Sequence, residues 1–197
     1  MLGYYNFTSP AFAIIAIIIW VTALLIWYFS RKKRDNLKHL FLVFLYGIFF
    51  ILVMAITVFP LCIGLEQGNC SINLVPIYYL VGGFVTNVEY RSLFIAIRQI
   101  VISVGANIIM FIPLGILSGL LFKKFQRFGC ALLLGVLVSL SIEIIQLIGS
   151  YIGIMEIRIF DVNDIIFNAL GCIIGYFILK RALKSEWGKR FYSSIQL

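Results

Sequence analysis

Residues 129–149 read GCALLLGVLVSLSIEIIQLIG, a run whose only charged residue is Glu143. An α-helix needs about 20 mostly apolar residues to cross a bilayer. Comparable runs stand at residues 10–29, 40–62, 100–122 and 162–179. The whole chain is 197 residues long, 62% hydrophobic and only 12% charged, with a mean hydropathy of +1.07. An average soluble domain is about 45–50% apolar and 25% charged. That composition excludes a soluble globular protein, a disordered chain and a disulfide scaffold. The expected fold is an all-α polytopic membrane bundle of five transmembrane helices, with no room for a separate soluble catalytic domain. It divides into an N-terminal anchor (residues 1–36), a membrane domain (37–180) and a basic tail (181–197).

The net charge of +8 has a topological meaning. Lys and Arg cluster at residues 31–38, 123–127 and 180–190, each cluster directly against an apolar run. Basic residues beside spans favour the cytoplasmic side and touch anionic headgroups. No nucleic-acid partner is therefore expected. With 31–38 inside, alternation of five spans puts all three clusters in the cytoplasm and leaves Arg91, Arg98 and Arg158 outside. The acidic residues divide the other way: only Asp35 and Glu186 fall inside. The expectation is a plasma-membrane protein with its N-terminus outside and its C-terminus in the cytoplasm. No basic residue precedes Arg31, so residues 10–29 read as an anchor rather than a cleaved signal.

The connection over residues 63–99 is too long for a turn and too apolar for a solvated loop. Within it, residues 72–85 (INLVPIYYLVGGFV) contain Pro76 and the Gly82–Gly83 pair. This stretch reads as a re-entrant or interfacial segment on the outer side. Cys62 and Cys70 both fall on that side, where free thiols are favoured over a disulfide. No Cys/His spacing suits a metal, and the lone His39 opens a span.

Polar side chains inside a membrane are expensive and mark function by default. Here they gather in the last three runs. Ser139, Glu143 and Gln146 share a helix face at i, i+4, i+7. Asp161, Asp164 and Asn168 share another, continued by the GxxxG pair Gly171 and Gly175, which permits close helix approach. Asn107 lies one turn above the sequence FIPLG, whose Pro113 and Gly115 are expected to disturb their helix. Three helices can thus line a polar cavity open to the outside. Plainer roles compete. Asp161 suits a helix N-cap with Asp164 at N3, and Asn107 and Asn168 suit helix-to-helix bonds. Capping does not account for Glu143, for which Arg158 is the nearest cation in sequence. Arg158 is therefore expected to contact Glu143 or Asp161.

These motifs carry a resemblance. NIIMFIPLG (107–115), SIEIIQ (141–146) and RIFDVNDIIFNALGCIIG (158–175) are together similar to the VanZ-like family of bacterial membrane proteins. ITVFP (56–60) and INLVPI (72–77) fit the same pattern, although Ile77 stands where an aromatic often follows the proline. The resemblance spans roughly residues 40–176. It implies a cell-envelope protein linked to low-level resistance against teicoplanin-type, lipid-tailed glycopeptides, and it implies no known reaction or cofactor.

The expected partners are membrane lipids and a lipid-linked cell-wall precursor or lipoglycopeptide. Asn107, Glu143, Gln146, Arg158, Asp161, Asp164 and Asn168 are the expected ligand-binding residues. Three functional classes remain open. A non-enzymatic binder would hold a lipid-linked head or an acylated sugar in the polar cavity. An enzyme would use Glu143, Asp161 and Asp164 for acid–base work or to hold a hard divalent cation, though no resident metal site is assigned. A lipid transporter is less attractive without an inverted repeat.

Overall fold

The computed structural model describes residues 5–7, 9–30, 36–59, 61–63 and 71–195. A short strand β1 (Tyr5–Phe7) precedes α1 (Ser9–Ser30) and α2 (Leu37–Thr57). Strands β2 (Leu61–Ile63) and β3 (Ile72–Asn73) lead to α3 (Tyr78–Tyr90) and the long α4 (Leu93–Leu121). A 3₁₀ turn (Lys123–Gln126) joins α4 to α5 (Phe128–Tyr151). Strand β4 (Phe160–Asp161), α6 (Val162–Ala182) and α7 (Glu186–Ile195) complete the order. Helices α1, α2, α4, α5 and α6 are each long and apolar enough to cross a membrane. The chain is an all-α polytopic membrane bundle.

Helix α6 is its centre, packed most extensively on α4 and then on α5, while α1 packs mainly on α2 and α3 on α4. The α4–α6 contact depends on residues without side chains. A Cβ added at Gly171 would strike the Ile108 carbonyl oxygen, one at Gly175 the Ile112 carbonyl, and one at Gly115 the Cys172 carbonyl. Backbone therefore meets backbone, the arrangement small residues allow between membrane helices. Phe111, Leu114 and Cys172 are fully buried around this seam, with Phe49, Val53 and Ile142 closing the core.

Helix α4 runs unbroken through Pro113 and begins at Leu93, seven residues before the expected start at Ile100, with Ser92 accepting from the Ile95 amide as its N-cap. Membrane helices tolerate an interior proline when neighbours cover the freed backbone, and α6 lies along this part of α4. Helix α2 ends at Thr57 rather than Cys62, because residues 61–63 instead pair antiparallel with β1. The segment expected to be re-entrant or interfacial is not broken at its glycines: Gly82 and Gly83 lie inside α3. Its 13 residues reach about 20 Å at 1.5 Å per residue, short of a bilayer core.

The basic tail is also structured. Its helix α7 stacks Trp187 on Phe191 at 5.5 Å and buries Ile195 against Leu42, Leu120 and Leu179. The Asn36 side chain bonds the Ser194 carbonyl, and Lys38 donates to Ser194 Oγ at 3.0 Å. Cys130 and Cys172 are free thiols. The residues 31–35, Pro60, Glu66 and Cys70 lie outside the described residues.

Candidate functional site: a polar network at one end of the bundle

The site begins with a backbone event. Helix α5 ends at Tyr151, and Gly153 turns the chain at φ 75°. Ser150 Oγ donates to the Glu156 carbonyl at 2.8 Å and accepts from the Arg158 amide at 3.2 Å. The chain then enters β4, which pairs parallel with β3, setting Asn73 opposite Asp161. That pairing lays the residue 71–77 loop over the start of α6.

Glu143 is 3% exposed, and its Oε2 accepts from the Asp161 amide at 3.1 Å. The carboxylate on α5 thus satisfies a backbone donor at the entry to α6. Asp161 is the N-cap of α6, accepting from the Asn163 amide at 2.9 Å. The same Oδ1 also accepts from Asn73 Nδ2 at 2.9 Å and Asn163 Nδ2 at 2.8 Å. Asn163 Oδ1 in turn accepts from the Ile77 amide at 2.7 Å. Ile77 has φ 68°, a left-handed conformation that is an outlier for a β-branched residue.

One turn further into the bundle, Asn107 on α4 donates to Asp164 Oδ1 at 2.6 Å. Asn168 Nδ2 donates to Ser139 Oγ at 2.8 Å, and Gln146 Nε2 donates to the Thr57 carbonyl at 2.7 Å. Asn168 Oδ1 is buried without a partner among the described residues. The capping role of Asp161 and the helix-to-helix roles of Asn107 and Asn168 are therefore real.

The ion pair expected of Arg158 is not formed. Among the described residues no Arg158 nitrogen lies within 4.0 Å of a carboxylate oxygen; the residue is half-buried, held by its backbone amide on Ser150. Glu143 takes a backbone N–H where the sequence suggested a cation. A peptide donor already inside the network needs no long side chain folded down to reach it.

A family model described as VanZ/LLP1 matches residues 46–184. The chain belongs to the VanZ/LLP1 family. No curated protein and no solved structure matches it. The VanZ/LLP1 match takes in every residue of the polar network and leaves out α1 and α7.

The three carboxylates of this VanZ/LLP1 chain are arranged alike. Each commits one oxygen to the network: Glu143 Oε2, Asp161 Oδ1 and Asp164 Oδ1. Among the described residues, Glu143 Oε1, Asp161 Oδ2 and Asp164 Oδ2 accept no protein hydrogen bond. The same residues contain no group of three His, Cys, Asp or Glu side chains gathered closely enough to hold a metal ion. The oxygens left over can accept from hydrogen-bond donors such as hydroxyl or ammonium groups.

Sequence reasoning passed over Asn73, Asn163 and Ser150. Asn163 lies off the i, i+3, i+7 face of α6 because it turns toward the loop rather than toward α4 or α5. Asn73 had a legible signal in NLVP: an asparagine that bonds backbone two residues on, as it does with the Val75 amide at 3.2 Å, is a turn former.

Proposed function

We propose that this protein acts in the bacterial plasma membrane by holding the polar head of a lipid-linked or otherwise amphiphilic molecule at the α4–α5–α6 end, with that end and the N-terminus outside. The observation that carries this reading is the set of three carboxylates, each with one oxygen anchored and, among the described residues, one free of protein donors. Anchoring holds each group in place, so the free oxygens are pre-organised acceptors and lose little freedom on binding. Arg158 supplies a permanently charged fork for an anionic part of the same head. Family membership supports a link to resistance against teicoplanin-type glycopeptides, whose acyl tail and sugars have the matching amphiphilic chemistry.

The test is Glu143→Gln and Asp164→Asn, which keep shape and remove charge. Both are expected to lose protection against a lipid-tailed glycopeptide at unchanged protein level, and to lose lipids that copurify with the wild type. Equal protection and equal copurifying lipid would reduce both carboxylates to scaffold. Orientation is tested separately by labelling intact cells. A cysteine placed at Ser9 is expected to react before lysis and one at Ser193 only after it.

A further inference from the structure

Arg91 and Arg98 are two of the three cations that the charge pattern places with the polar end, and the network above uses neither. Both line one cleft of about 380 Å³, together with Ile95, Gln99, Ile102 and Ser103. Ile95, Arg98, Gln99 and Ile102 follow the i, i+3, i+4, i+7 rule, so one face of α4 alternates apolar and polar groups. Arg91 stands immediately before Ser92, the N-cap of that helix. The first turn of α4 carries no acidic residue, so its helix dipole adds to the positive field of the two guanidinium groups.

The donors here are unspent among the described residues. Among the described residues neither arginine has an ion-pair partner, and no carboxylate lines the cleft. Asn87 Nδ2 donates to Gln99 Oε1 at 2.9 Å and to the Gly83 carbonyl at 2.7 Å. That bond orients Gln99 so that its amide N–H groups remain available. A recess of about 70 Å³ between α3 and α4, walled by Leu80, Phe84 and Ile100, shares Gln99 and Ser103 with this cleft. Ile95 and Ile102 are themselves exposed on α4, so apolar surface runs directly from the cationic group.

We infer that this cleft at the start of α4 is a binding site for the anionic phosphate headgroup of a membrane amphiphile, with Arg91 and Arg98 as the phosphate ligands and Gln99 as a neutral donor. Arginine forks match phosphate oxygens bidentately. An apolar wall leading out of the site suits the chain attached to that phosphate and gives nothing to a free anion. The site stands apart from the carboxylate network and does not rest on the reading given for it.

The experiment uses the full chain in nanodiscs that contain phosphatidylglycerol with a diazirine near its glycerol. Crosslinked peptides are located by mass spectrometry. The wild type is expected to carry label on residues 91–103, and Arg91→Gln with Arg98→Gln to lower it by at least about tenfold, the effect of losing even one of the two charge-assisted contacts. Label near the basic residues of α7 should stay constant in the same sample, which also reports that the variant has folded. Arg98→Lys keeps charge without the fork and should fall between. A phosphatidylcholine probe of the same chains should not label this stretch. Unchanged label in the double glutamine variant, equal labelling by the phosphatidylcholine probe, or displacement by millimolar inorganic phosphate would each overturn the assignment. Because these variants leave Glu143, Asp161 and Asp164 intact and the readout is lipid position, failure here is separable from failure of the protection assay.

Discussion

Helices α1 and α6 invert the rule of soluble proteins. Helix α1 is a nearly uninterrupted apolar stretch, yet none of its most apolar window is buried in the protein. Helix α6 is the least apolar of the five spans, and 44% of its window is buried. In a bilayer, apolar side chains gain nothing by leaving lipid for protein, so helices associate through close packing and polar bonds instead. Helix α6 has both: Gly171 and Gly175 against the α4 backbone, and Asp161, Asp164 and Asn168 bonded to neighbouring helices. Helix α1 meets the rest of the protein chiefly through side chains, as where the Trp20 indole lies over Gly47.

That contrast orders the expected effects of substitution. The largest belongs to Gly171→Ala, whose new methyl meets the Ile108 carbonyl. The helices must separate, an overpacking cost of about 1–3 kcal/mol, read as a fall in resistance to unfolding in mixed micelles. A neutral result would break the comparison at its strongest point. Next comes Asp161→Ala, which removes an N-cap and strands the Asn73 and Asn163 amides. A lost cap alone costs about 1 kcal/mol. The same unfolding assay should show it, and hydrogen exchange at the Ile77 amide should quicken as the loop loosens.

Smaller is Ser139→Ala, which removes one interhelical partner of Asn168. Interhelical hydrogen bonds in a membrane average about 0.6 kcal/mol. Double-mutant cycles between Ser139 and Asn168 isolate the coupling, and a value several times larger would raise polar bonding above close packing as the force on α6. The smallest effect is expected from Ile19→Ala on α1, where the side chain is 63% exposed. Its change should stay within about 0.5 kcal/mol; a larger loss would mean that α1 is held by something other than its contact with α2.

The same division separates what was legible in the sequence from what was not. Hydropathy is a local property, so all five spans could be read without knowing any contact. Helical periodicity is local too. It put Glu143 with Gln146, and Asp161 with Asp164 and Asn168, on shared faces, and it marked Gly171 and Gly175 as a packing seam. Tertiary structure alone decided the partners. Asn73 reaches Asp161 across 88 positions, and β3 finds β4 because α2 through α6 fold as a bundle. Glu143 bonds a backbone N–H of a strand that forms only in that pairing, so charge complementarity along the chain pointed to Arg158 instead. Helix α7 reads as a charged tail until its terminal Ile195 finds the pocket that Leu42, Leu120 and Leu179 supply from three different helices. Periodicity states which residues face the same way; only the packed bundle states what they face.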